Sequence, residues 1–269
     1  MKKYKTFFDM NAASGQEFSV VISNYTRRIN GKYPFYHHET ETPLAAFSLY
    51  NKILADVAAV NLEEIKNTDP VLFKNRIPPV EYKKSEITCI DINGAYFQAA
   101  LNMGYISEAT YNRGLKGSKQ ARLIALGMLA SRKTTIYYKG SEPINYTVKE
   151  NPTAPIFFDI MNNIGLIMTA AADYFREYFL FFWFDGIYFR PGIHAPDVVN
   201  FLDDNGFKSK VEYLKNFSSK PTRDYHLVQY EKEGKKKRFF VPLLNSTEQN
   251  KALSKELITI INNKKNVIT

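Results

Sequence analysis

Two aspartates in this chain stand where a carboxylate can do chemistry. The stretch Phe181-Phe182-Trp183-Phe184-Asp185-Gly186-Ile187-Tyr188-Phe189 sets an Asp-Gly pair between two runs of large β-forming residues. Asp-Gly is among the strongest short signals for a tight β-hairpin, because both positions tolerate positive φ. Asp185 is therefore expected at a hairpin tip, where by itself it reads as a turn residue. The second is Asp91, which ends the apolar run Ile87-Thr88-Cys89-Ile90 and precedes Ile92-Asn93-Gly94-Ala95-Tyr96-Phe97. Two strand-borne carboxylates are the minimum for bridging two divalent ions about 4 Å apart, one lowering the pKa of an attacking hydroxyl and one neutralising a leaving pyrophosphate. Hard ions such as Mg²⁺ or Mn²⁺ take oxygen ligands, so the expected metal ligands are Asp91, Asp185 and the carbonyl of Ile92.

The two carboxylates can meet only if their strands are adjacent and antiparallel. Residues 1–41 are mixed, with a short strand at Phe18 to Ile22. Thr42-Pro43 starts a helix whose apolar spacing runs through Phe47, Ile53 and Val57 to about Lys66. A Pro-containing connector, Asn75 to Pro79, leads into the Asp91 strand. Next come a helix from Gln98 to Met103, a basic segment from Arg113 to Lys119, and a helix from Gln120 to Lys133. In that helix Lys119, Arg122 and Arg132 lie near a face carrying Gly127 and Ala130. Thr134 to Tyr138 and Ile144 to Val148 read as a second hairpin, and a long amphipathic helix from Pro155 to Leu180 delivers the chain to the Asp185 hairpin. A helix from Pro196 to Asn205 and a strand from Lys210 to Leu214 follow. A hairpin over 225–243, with Lys235-Lys236-Lys237-Arg238 at its turn, and a helix from Thr247 to Asn263 complete the pattern. Strands and helices in this order predict an α+β fold with an antiparallel sheet.

Composition bounds the partners. The 269 residues, 45% of them hydrophobic, suffice for a substantial core. A formal charge of +9, from 36 Lys and Arg against 27 Asp and Glu, favours a polyanion over an acidic small molecule. The single cysteine, Cys89, excludes an internal disulfide and the usual thiolate zinc sites, which points to a reducing compartment. No signal peptide is visible after Met1-Lys2-Lys3, and the most apolar run, Tyr178 to Phe184, is too short to span a membrane. A cytoplasmic protein without a membrane partner is the expectation.

The motifs also resemble a known family. Asp91-Ile92-Asn93-Gly94-Ala95-Tyr96-Phe97 resembles motif A of family B DNA polymerases, D-x-x-S-L-Y-P. Phe184 to Phe189 resembles the second half of motif C, D-T-D-S-x-x-F, with Asp185 on the second aspartate. Arg122 to Ala130 is similar to motif B, K-x-x-x-N-S-x-Y-G, with Arg122 on the lysine, and Lys236-Lys237-Arg238-Phe239 resembles the K-K-R-Y element that holds the primer duplex. The pattern departs from the family at Trp183 or Phe184 for the first aspartate of motif C, at Leu126 and Leu129 in motif B, and at Phe97 in motif A.

The resemblance implies an antiparallel-sheet palm of polymerase type with helices on one face and reduced fingers and thumb. Its expected parts are an extension at 1–84, a palm-like catalytic domain at 85–243 with reduced fingers at 105–133, and a C-terminal helix and basic tail at 244–269. The implied activity is template-directed primer extension with dNTPs, without proofreading. Asp91 and Asp185 would be catalytic. Asn93, Gly94, Ala95 and Tyr96 would cradle the triphosphate, with Lys119 and Arg122 on its phosphates and Tyr96 excluding a 2′-hydroxyl. Lys235, Lys236, Lys237 and Arg238 would contact DNA phosphates without sequence preference. The implied partners are primer–template DNA, dNTPs and replication proteins that supply missing fingers, thumb or clamp functions, in a mobile element or virus and so in a host cytoplasm. Two further readings are a catalytically inactive palm kept as a DNA-binding replication accessory, and a template-independent nucleotidyltransferase or primase.

Overall fold

The computed structural model describes residues 2–23, 26–38, 43–65, 82–222 and 225–242. The chain opens with α1 (Lys2–Ala13), β1 (Glu17–Ser23), β2 (Thr26–Asn30), β3 (Phe35–His38) and α2 (Pro43–Val57). It continues through β4 (Tyr82–Ile92), α3 (Ala95–Asn102), α4 (Glu108–Lys116), α5 (Lys119–Gly127), β5 (Arg132–Lys139) and β6 (Glu142–Glu150). The last third holds α6 (Ala154–Tyr174), β7 (Phe179–Trp183), β8 (Gly186–Phe189), α7 (Ala195–Asp204), β9 (Ser209–Pro221), β10 (Tyr225–Lys232) and β11 (Lys235–Pro242). The fold is α+β, and it holds two antiparallel sheets where the sequence suggested one. The connector at 75–79 and the segment 244–269, with its expected helix, lie outside the described residues.

The described residues fall into two compact units that interleave along the chain, Met1–Thr68 with Met103–Asp159, and Asp69–Asn102 with Ile160–Thr269. A division at 84/85 therefore does not follow the contacts: residues 105–133 belong with the N-terminal residues. The first unit contains a sheet in the order β3-β2-β1-β5-β6. Its apolar face is covered by α1, whose Tyr4, Phe7, Phe8 and Ala12 pack on Phe18, Val20 and Ile29. The spacing 4, 7, 8, 12 places these side chains on one helical face. Buried Asn11 ties the helix down, donating from Nδ2 to the carbonyls of Phe7 and Tyr33 and accepting the Tyr33 amide at 3.0 Å. A Cβ on Gly31 would stand 2.7 Å from Phe18 Cβ, so that corner admits no side chain.

The second unit holds a sheet in the order β11-β10-β9-β4-β8-β7, with β4 between β9 and β8. One face is packed by α7, which contacts β4 and β9, and by the end of α6, where Phe175 sits edge-on to Phe189 and Phe201. The other face buries Ile87, Cys89, Phe181, Tyr188, Phe217, Val228 and Val241, all from strands. The sheet's own curl covers that face. Phe239 on edge strand β11 lies 6.2 Å from Phe181 and 6.0 Å from Trp183 on the opposite edge strand β7.

Several elements differ from expectation, and the ends of α5 and α6 do so because strand pairing overrides helical periodicity. The helix expected to reach Leu180 stops at Tyr174, since Phe179-Leu180-Phe181-Phe182-Trp183 pairs with β8. The helix expected over Gln120 to Lys133 ends at Gly127, and Arg132 opens β5, paired to both β1 and β6. Arg132 is thus on a strand, 2.8 Å from Glu150, and not beside Arg122 on a helix. The basic segment before it is helical as far as Lys116, in α4, which is capped by Ser107, whose hydroxyl accepts the Thr110 amide. Finally, α6 is long and apolar enough to cross a membrane by length and composition, with mean hydropathy 1.3, which the run at 178–184 had hidden. Its buried Ile156, Ile160, Ile164, Met168 and Ala172 recur every fourth residue, the pattern of a helix packed along one side.

Candidate active site

Asp91 and Asp185 are neighbours. Asp91 pairs with Gly186 across β4 and β8, and the Ile92 amide donates to the Asp185 carbonyl at 2.9 Å. The hairpin that presents Asp185 is built differently from the Asp-Gly expectation. Trp183 pairs with Gly186, so the two loop residues are Phe184 and Asp185, and the positive φ of 53° falls on Phe184. Gly186 belongs to β8 and faces inward, where a Cβ would meet Cys89 Sγ and the Tyr188 ring.

Beyond Ile92 the chain turns through Gly94 at φ +60° into α3, whose first turn includes Ala95 and Tyr96. The turn is pinned from three sides. Asn93 donates its amide to the Lys208 carbonyl at 2.8 Å, the Lys208 amide donates to Gln98 Oε1 at 2.8 Å, and Gln98 Nε2 donates back to the Asn93 carbonyl. First-turn amides lack intrahelical acceptors, so Ala95 and Tyr96 present N–H groups at the β4 end of the sheet. Burial, and then the nearby Asp185 charge, push the Tyr96 phenol above its ordinary range. Asp91, Ile92, Asn93, Gly94, Ala95, Tyr96 and Asp185 thus form one constellation.

A polar lane crosses the same sheet face and has no counterpart in the sequence reading. Lys210 Nζ lies 3.1 Å from Asp91 and 2.8 Å from Glu212, and Lys232 Nζ lies 2.7 Å from the other oxygen of Glu212. Burial pushes the Glu212 carboxyl up, but Lys210 and Lys232 outweigh it and hold it below the usual range. Glu212 and Asp91 in turn raise the Lys210 ammonium. Beneath the lane, burial drives the Cys89 thiol far up, reinforced by Asp91 and Glu212, so this cysteine is an inert core thiol. The signal for the lane was the i, i+2 placement of Lys210 and Glu212 on one strand face, but its link to Asp91 needed the cross-strand register.

Other expected site residues are carried by other elements. Lys119 and Arg122 are in the first unit. The Arg122 guanidinium donates to the carbonyls of Gly114 at 3.0 Å and Gly117 at 3.1 Å, closing the C-terminal end of α4. Lys119 is exposed in the first turn of α5. Lys235 to Arg238 lie on β11 and do not form one patch. Strand alternation puts Lys235 and Lys237 on the face of Lys232 and Tyr230, and Lys236 and Arg238 on the face of Glu231 and Gln229.

Among the described residues no group of three or more His, Cys, Asp or Glu is placed to hold a metal ion. Two carboxylates nevertheless fit Mg²⁺, which is usually bound through one or two carboxylates together with substrate phosphates rather than by an all-protein cage. No protein-family model matches the chain, and neither does any curated protein or any solved structure.

Proposed function

We propose that the chain is a minimal nucleotidyltransferase of the polymerase palm type, extending a primer on a template with dNTPs. The observation that supports this reading best is the adjacency of Asp91 and Asp185 across one hydrogen-bonded strand pair, with Tyr96 beside Asp185. Asp91, Asp185 and the Ile92 carbonyl would hold divalent ions arriving with the nucleotide. Bound there, such ions supply charge neutralisation of the phosphates and a more acidic primer hydroxyl. The chain's own residues do the positioning. The amides of Ala95 and Tyr96 orient phosphate oxygens, and the Tyr96 ring fills the space a 2′-hydroxyl would need. Burial keeps the Tyr96 phenol protonated, so it adds no charge beside Asp185. The test is primer extension on primed DNA with Mg²⁺. The wild type incorporates dNTPs and Asp185→Asn does not; equal incorporation by both overturns the reading, as does incorporation without template for the templated form.

The accessory reading draws on a different observation. Lys210 pairs with Asp91 at 3.1 Å, and Trp183 and Phe184 stand where the resemblance would put a further carboxylate. If the unit binds DNA without catalysis, primed DNA will bind equally to wild type and Asp185→Asn, with no incorporation by either.

A further inference from the structure

We infer that the first unit carries a second nucleic-acid site, for a single strand, on the face of its five-stranded sheet opposite α1. The register fixes which side chains share that face, because directly opposed residues of an antiparallel pair point the same way. Tyr36 on β3 opposes Arg28 on β2, and Arg28 opposes Val21 on β1. One residue pair along, Ser19 on β1 opposes Tyr137 on β5. On the other side of the Arg28 row, Lys133 on β5 opposes Lys149 on β6.

The face therefore carries two tyrosines and four cations, Arg28, Lys133, Lys139 and Lys149, with Glu17 and Glu142 on either side of Lys139 in its end row. In the three rows that hold the tyrosines and Lys133, the other positions are Ser, Thr and Asn, with the buried Val21 the one apolar residue; both carboxylates stand in the end row, opposite Lys139. Tyr36 is 63% exposed and Tyr137 40%, although the opposite face of the same strands is packed by the aromatic stripe of α1. Aromatic rings held outward on a rigid sheet, among cations, match what a flexible single strand requires. Bases stack on the rings regardless of sequence, and the cations follow the backbone. A duplex, whose bases are already stacked, gains nothing from the rings. Strands β3 and β5 are three spacings apart, roughly 15 Å, so one strand engaging both rings covers a few nucleotides. The chain's charge of +9 favours the same occupant. The inference does not rest on the catalytic reading and survives its failure.

The test is fluorescence anisotropy on the full chain with fluorescein-labelled oligo(dT), oligo(U) of the same length, and a blunt duplex. The double variant Tyr36→Ala/Tyr137→Ala should weaken single-strand binding by about tenfold or more while leaving duplex binding and the melting temperature unchanged. Tyr36→Phe/Tyr137→Phe should retain single-strand affinity, because the rings remain. Lys133→Gln/Lys149→Gln should flatten the salt dependence of single-strand binding, by a slope of about one to two. Unequal loss with dT and U identifies which nucleic acid is preferred. No single-strand binding by the wild type, unchanged affinity in the alanine pair, or an equal loss in the phenylalanine pair would each overturn the inference.

Discussion

Lys210 on β9 stands directly opposite Asp91 on β4. With 49% of its side chain exposed, it ties Asp91 and Glu212 together at 3.1 and 2.8 Å. At that exposure such pairs contribute about 0.5–1 kcal/mol, so Lys210→Met should lower the unfolding free energy by that amount at pH 7 in urea titrations. Glu212 has a depressed folded pKa. Its contribution is present above the ordinary carboxylate value and lost as pH falls through the folded one, so the difference between wild type and Lys210→Met should vanish in acid. A difference unchanged by acid would mean that Lys210 acts by packing. His226 behaves independently: it is buried, with Nδ1 3.1 Å from Ser219 Oγ, and burial lowers its pKa from 6.5. The unfolded chain takes up a proton there before the folded one does, so stability should decline as pH falls below about 6.5. His226→Gln should flatten that part of the pH profile of melting temperature. For the metal, two carboxylates without a third acidic partner among the described residues imply weak Mn²⁺ binding by the protein alone. Paramagnetic resonance titrations should show Mn²⁺ held several-fold more tightly once a dNTP is added, with Asp185→Asn losing that gain.

At the scale of elements, the β7–β8 hairpin places its strain on an aromatic. Phe184, at φ 53°, holds a left-handed conformation that costs an L-residue about 1–2 kcal/mol. Phe184→Gly should therefore stabilise the unit by roughly 0.5–1 kcal/mol after glycine's entropic penalty, measured as a raised urea midpoint. If it also abolishes primer extension, the exposed ring has a role in the proposed site. Arg122 presents the opposite case, a cation that resembles a phosphate ligand but closes a helix. Arg122→Ala should cost about 1 kcal/mol and speed amide exchange in α4. A change in KM for dNTP without any change in stability would favour the phosphate role. The two strands that present Asp91 and Asp185 were legible because β-forming runs bound them locally. The Lys210–Glu212 lane was not, since β9 and β4 are joined by a register spanning more than a hundred residues, which local pattern does not carry. Helix α1 was missed because Tyr4, Phe7 and Phe8 are interspersed with lysines and no capping residue announces its start. The ends of α5 and α6 were missed because helical spacing continues into residues that strand pairing claims.

On the whole-molecule scale, the second sheet brings its two edges together through aromatic rings. Trp183 and Phe239 are stacked at 6.0 Å, although four strands separate β7 from β11. A double-mutant cycle on Trp183→Leu and Phe239→Leu should give a coupling of about 0.5–1.5 kcal/mol. Zero coupling would mean that the edges do not meet in solution. The interleaved order of the two units also bears on synthesis. β4 is one of the two central strands of its sheet, yet both neighbours, Gly186–Phe189 and Ser209–Pro221, are encoded far downstream. At ~5–20 residues per second, a nascent chain leaves that apolar segment waiting roughly 5–20 s for its first companions. Ribosome-associated holdases are the natural guardians of such an interval, and a chain released before residue 186 should aggregate through it.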